Sequence, residues 1–251
     1  MATSEQQQRP VPEIVIEGSP YWVRREMASG SIELIKWLAI LAMTIDHIDY
    51  FLLGREAYPM FAVGRLAMPL FFMLFAYNMA RPTVGDRTHF TAMKRLLAFA
   101  LVAQLPYIGA NAWDYAGQLN ILFSLFLLAC LFYLSDEART LTGAKRWGAY
   151  VAMALVVCAS AFVEYGWVGL VLGLAARASF RTPTPATLMG IAAALSALYF
   201  VNGNQFALLA LPVFVAVSHW NPPIRRSPWF TYYGYYPAHI AVLWAMQPLF
   251  R

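Results

Sequence analysis

Charge is what this sequence has least of. Only 12% of its 251 residues are Asp, Glu, Lys or Arg, against 60% hydrophobic, whereas a soluble domain carries about 25% charged residues. That shortage excludes an ordinary water-soluble fold, because a chain of this length cannot hide so much apolar surface. Cysteine is scarce too. Cys130 and Cys158 sit inside apolar blocks without zinc or redox spacing, so neither a metal site nor a disulfide framework is expected. The first thirty residues do not combine a basic start, an apolar run and a small-residue cleavage site, so no cleaved signal peptide is expected. The alternation of a membrane β-barrel is missing, as are internal repeats and a separate soluble domain.

What remains is a series of apolar blocks of about 15–22 residues, the length that spans a bilayer as helix. The expected fold is therefore all-α: a polytopic transmembrane helix bundle of about nine spans with a cytoplasmic N-terminus. The blocks cover residues 32–53, 59–80, 94–110, 118–134, 147–163, 166–177, 187–201, 205–218 and 235–250. The sixth and eighth are short enough to be tilted, re-entrant or merged. Residues 1–30 read as a polar cytoplasmic tail, with Tyr21, Trp22, Arg24 and Arg25 as an interfacial anchor. Residues 31–251 read as the transmembrane domain.

Basic residues set the orientation. With nine spans and the N-terminus inside, fourteen of the eighteen fall in cytoplasmic segments: Arg9, Arg24, Arg25, Arg81, Arg87, Lys94, Arg95, Arg139, Lys145, Arg146, Arg177, Arg181, Arg225 and Arg226. Only Arg55 and Arg251 fall outside, and Lys36 and Arg65 lie within spans. This is the positive-inside pattern. It accounts for the pI near 9.3 without nucleic acid as a partner.

Ionisable groups at membrane depth cost about 2.5–3.5 kcal/mol each on insertion scales and default to function. The first block holds Lys36, Asp46, His47 and Asp49, and the second holds Arg65. At about 1.5 Å per residue, His47, Arg65 and Gln104 all lie roughly 9 Å inside the outer face. Asn120 and Glu164 lie closer to it. Lys36, Arg95 and His239 form a second layer toward the cytoplasm. Asp46 and His47 point about 100° apart on a helix, so Asp46 is expected to meet Arg65 across the first hairpin as a bidentate pair. His47 suits general base work. Lys36 either snorkels to headgroups or meets an anionic ligand. His239 is a membrane-edge histidine among tyrosines or part of a site. Asp49 and Glu164 read as solvated outer-rim groups.

The stretches IKWLAILAMTIDHID, GRLAMPLFFMLFAYNMAR, KRLLAFALVAQLPY, LNILFSLFLLA and YYGYYPAHIAVLW together resemble the TraX/TrbP-type conjugative pilin acetylases. The likeness covers residues 32–134 and returns at 229–247. Residues 135–228 fit in hydropathy alone. It implies acetylation of a pilin N-terminus in the bacterial inner membrane, with acetyl-CoA as co-substrate and no metal. The family's shared polar residues fall on Lys36, Asp46, His47, Arg65, Arg95, Gln104, Asn120 and His239. His47, Asp46 and Arg65 are then the expected catalytic group, and Lys36, Arg95 and His239 the donor-binding group. Gln104, Asn120, Asp49, Glu164 and Tyr236 would face the pilin substrate. Asp49 departs from the small or apolar residue expected after Asp-His-Ile, and a second acid there suits a cationic amine. Head-to-tail cyclisation of the pilin, a pilin chaperone and a proton-coupled transporter are the alternatives.

Overall fold

The computed structural model describes residues 26–111 and 117–250. Tyr21, Trp22, Arg24, Arg25, most of the expected polar tail and Arg251 lie outside them. Eleven α-helices run through the described residues: α1 Ser29–Phe51, α2 Tyr58–Gly64, α3 Ala67–Ala80, α4 Asp86–Ala110, α5 Ile121–Thr140, α6 Gly143–Ala159, α7 Gly166–Arg181, α8 Pro185–Ala197, α9 Tyr199–Asn202, α10 Ala210–Ser218 and α11 Trp229–Met246. No strand occurs among the described residues, which hold a single isolated parallel bridge, Leu119 to Val163.

Local signals explain several boundaries. Asn120 caps α5 through Leu122 N–H at 3.1 Å, and Thr184 with Thr187 forms a capping box in front of Pro185 at the start of α8. The second apolar block is interrupted at Arg65 and Leu66, where α2 gives way to α3. The last helix begins at Trp229, six residues before the apolar block expected from 235. That difference shifts every polar group on α11 away from the helix start.

The core is apolar and tightly filled. Phe72, Phe132, Phe214, Ile35 and Leu128 are fully buried. The periphery is apolar as well: Leu101, Val102 and Leu105 on α4 and Val151 and Leu155 on α6 are exposed, a surface that water does not favour. Three stretches, Tyr58–Ala80, Ile121–Thr140 and Pro185–Asn202, are long and apolar enough to cross a membrane. That is fewer than the nine spans expected: α1 carries Glu33, Lys36, Asp46 and Asp49, α4 carries Asp86, Arg87, Lys94 and Arg95, α11 is rich in tyrosine, and α6, α7 and the 206–218 stretch are shorter.

Connections gather at two ends. At one end the Leu119–Val163 bridge joins two loops, and Gln247 Nε2 donates to Ala110 O at 2.6 Å, tying the end of α11 to α4. At the other end Ser31 donates to Trp220 O, and Asp136 on α5 binds Arg177 and Arg181 on α7.

Candidate functional site

The C-terminal half of α1 approaches α2 closely at Gly64, where an added Cβ would collide with the Asp46 side chain. The missing side chain lets Asp46 reach Arg65, the residue that ends α2. Arg65 Nη2 donates to Asp46 Oδ1. Its Nη1 donates to Asn202 Oδ1 at 3.2 Å and its Nε to Phe61 O at 3.4 Å. The expected pair is thus formed, but not bidentately, because Asn202 takes the second arm. Asp49 departs from its expected solvated position. It is 1% exposed, and its Oδ1 accepts Ala57 N–H at 2.9 Å, pinning the turn between α1 and α2. Among the described residues its other carboxylate oxygen has no hydrogen-bond partner.

His47 and His239 meet. His47 Nδ1 lies 2.7 Å from His239 Nε2, and the rings are coplanar within 2° with centroids 5.0 Å apart. That is an edge-to-edge hydrogen bond between nitrogens. Its direction follows from the next bond. His239 Nδ1 lies 3.0 Å from Tyr235 O, and a carbonyl only accepts. His239 therefore carries its proton on Nδ1 and accepts at Nε2, so neutral His47 donates from Nδ1. This leaves His47 Nε2 with a free lone pair, the form a general base requires. The placement of His239 in a cytoplasmic layer with Lys36 is corrected: the earlier start of α11 carries it to the depth of His47.

A cavity of about 220 Å³ opens beside His47. Asp46, Arg55, Arg65, Tyr107, Asn111, Gln118, Glu164, Tyr165 and Asn202 also line it. Glu164, expected as a solvated rim group, instead borders this cavity from the loop between α6 and α7. Its carboxylate accepts Ile121 N–H at the start of α5. Burial pushes the Glu164 carboxyl up to about 7, and the nearby Asp46 charge adds to the rise. Tyr165 follows in a left-handed conformation at φ 60°, a strained backbone of the kind that collects at functional sites.

Gln104 and Asn120 do not line the cavity. Gln104 Nε2 donates to Gln118 O at 2.9 Å, and its Oε1 accepts from Asn120 Nδ2 at 2.8 Å. Asn120 Nδ2 also reaches Ala100 O at 2.9 Å. The amides that sequence placed on the substrate serve the loop and the α5 cap instead. Tyr236 is buried, its ring edge-on to His239 at 5.5 Å, so it supports the histidine from behind.

Residues 31–247 match the TraX protein family. This chain belongs to the TraX family. A protein named TraX from Escherichia coli is 28% identical over 223 residues, covering 85% of this chain and 86% of that protein. A probable fimbrial assembly protein, FimC of serogroup H1 from Dichelobacter nodosus, is 26% identical over 231 residues, covering 83% and 92%. Another TraX, from Escherichia coli strain K12, is 30% identical over 143 residues, covering 57% and 54%. No solved structure matches significantly.

In this TraX-family chain the remaining polar groups gather at the opposite end of the bundle. Lys36 Nζ binds Glu33 Oε1 at 2.8 Å and sits 4.3 Å over the Tyr232 ring. Glu33 also accepts from Ser227 N–H at 3.2 Å and from the Tyr232 hydroxyl. Lys36 is thus paired with a residue of its own helix. Arg95 stacks 4.0 Å over Trp229. Sequence reasoning missed the latch in which Asp136 binds Arg177 and Arg181 at this end, with His89 3.6 Å away. It also missed Asn202 and Tyr165 at the cavity. The Asn-Gly-Asn and Tyr-Gly turn signals marked those loops without showing that they fold inward. Among the described residues no group of three His, Cys, Asp or Glu is placed to hold a metal.

Proposed function

We propose that this protein is a multi-pass inner-membrane acyltransferase that acetylates the N-terminus of a conjugative pilin subunit with acetyl-CoA. The observation that carries the reading is the His47–His239 pair, which leaves a basic nitrogen on a cavity-lining ring. Nine passes with the N-terminus inside agree with the two-ended arrangement of loops and with the fourteen-to-two bias of basic residues. The fimbrial assembly relative supports a pilus-related partner.

In this mechanism the pilin ammonium enters the cavity from the outer side and gives its first proton to the Glu164 carboxylate, which returns it to the outer solvent. His47 Nε2 takes the second proton as the freed nitrogen attacks the thioester carbonyl. Arg65 retains N–H groups beyond those engaged by Asp46, Asn202 and Phe61, and these stabilise the oxyanion. The tetrahedral intermediate then expels the thiolate of coenzyme A, which recovers the proton from His47. A C–N bond forms, a C–S bond breaks, and no oxidant or metal is needed. Lys36 and Arg95 remain the donor-side candidates, with Glu33 as the competing anion that phosphate must displace.

The test is the intact mass of the pilin in cells with and without this protein. Wild type adds one acetyl group, and His47→Ala lowers the acetylation rate by about 100-fold or more. A loss of one water from the pilin would instead signal ring closure. An unchanged acetyl mass with His47→Ala would remove the histidine from the mechanism.

A further inference from the structure

We infer that Arg55 is a docking residue for a carboxylate that the acceptor peptide carries within about two residues of its free amine. The inference rests on the acyl-transfer reading for its site and orientation, and adds what the acceptor must look like. In that orientation Arg55 is the only basic residue among the described outer segments, on the side where the topology rule disfavours one. It lines the same cavity as His47 and Glu164. It forms no salt bridge among the described residues, although its charge acts on the Asp46 carboxylate and Glu56 is its neighbour in sequence.

The turn that holds it is built with care. Gly54 and Arg55 are both left-handed, at φ 65° and 66°, a conformation that costs a non-glycine residue about 1–3 kcal/mol. Arg55 N–H donates to Asp49 O at 2.9 Å, and the buried Asp49 carboxylate holds Ala57 N–H. The guanidinium lies 4.4 Å over the Tyr50 ring and 5.6 Å from that of Phe61. These contacts hold the guanidinium by its charge and do not consume its N–H groups, which stay available to a carboxylate. A guanidinium serving lipid headgroups would extend toward the membrane surface, whereas this one is folded over aromatic rings at the cavity. Of the charges that line the cavity, Asp46 and Arg65 balance each other, so Glu164 and Arg55 are left to meet an ammonium and a carboxylate. An extended residue covers about 3.4 Å, so a cavity of about 220 Å³ admits roughly two residues, which sets the spacing.

The experiment measures binding of synthetic peptides with a free N-terminus to the full-length protein in nanodiscs. The peptides carry Asp, Asn or Lys at the second position, and acetyl transfer from acetyl-CoA is followed in the same samples. Wild type should bind the Asp peptide about tenfold tighter than the Asn peptide. Arg55→Asn, which tolerates the left-handed backbone, should erase the difference, and Arg55→Glu should reverse it in favour of the Lys peptide. Equal binding of all three peptides to wild type, or a preference that survives Arg55→Asn, overturns the inference. So does an Arg55→Asn effect confined to anionic as against zwitterionic nanodiscs, which assigns the residue to lipid. Charge-selective binding without acetyl transfer would keep the docking residue and discard the acyltransferase. Transfer without charge selection would do the reverse.

Discussion

His239 carries no reaction in the proposed mechanism, yet it decides which nitrogen of His47 is basic. Replacing it by Phe keeps a ring against Tyr235 but removes the acceptor at Nε2. The His47 proton is then free to move to the cavity side, which blanks the base. His239→Phe should slow acetylation by about 100-fold, and His239→Gln, whose amide oxygen accepts, should restore part of it. Nitrogen-15 spectra of the histidines would read the tautomer directly, and an unchanged His47 tautomer in His239→Phe would refute the positioning role. Glu164 gives a prediction in pH. Its carboxyl is raised from 4.5 to about 7 by burial, so the folded state holds a proton that the unfolded chain releases. Stability therefore falls as pH rises from about 4.5 to 7 and is level above that. Glu164→Gln should leave the thermal midpoint unchanged near pH 4 and raise it by a few degrees at pH 8. Equal shifts at both pH values would contradict this account.

At the scale of elements, the hairpin of α1 and α2 does most to assemble the cavity, and Gly64 is its contact point. Gly64→Ala would drive α2 off Asp46 and separate the Asp46–Arg65 pair, at a cost of about 1–3 kcal/mol for overpacking. Gly148 on α6 faces open space, so Gly148→Ala should be neutral or stabilise by up to about 1 kcal/mol. Thermal unfolding of the two variants compares them, and equal behaviour would deny the close approach its role. The hairpin was legible in sequence because Asp46 and Arg65 lie at matching depth in consecutive apolar blocks. Helix class was legible from the length of the apolar blocks. The partnership of His47 with His239 was not. It depends on where α11 starts, and interfacial tyrosines blur the edge of an apolar block. Gln104 and Asn120 misled for a different reason: depth along a helix says nothing of which way an amide faces, and a loop with unpaired backbone groups claimed both. Asp136 was invisible because its partners lie more than forty residues away.

For the molecule as a whole, the proposed reaction needs two accessible sides: coenzyme A inside and the pilin amine outside. The helices meet that need only if the cavity end faces outward. The cavity end holds the 52–57 turn, the 117–120 loop and the Glu164–Tyr165 loop. The other end holds the Lys36–Glu33 and Asp136–Arg177 groups, and its helix ends and connecting segments carry Arg81, Arg139 and Arg225. Length and composition single out three stretches as spans, but polar groups that pair inside the bundle, such as Glu33 with Lys36 and Asp46 with Arg65, allow a less apolar helix to cross as well. Reporter fusions separate the two views. A phosphatase that works only outside the inner membrane should be active when joined in the 52–57 turn or at 203–205. It should be silent when joined at 82–85, 141–142 or 182–184. Activity at 182–184 together with silence at 52–57 would invert the orientation, put His47 on the coenzyme side and leave the pilin amine without a route to it.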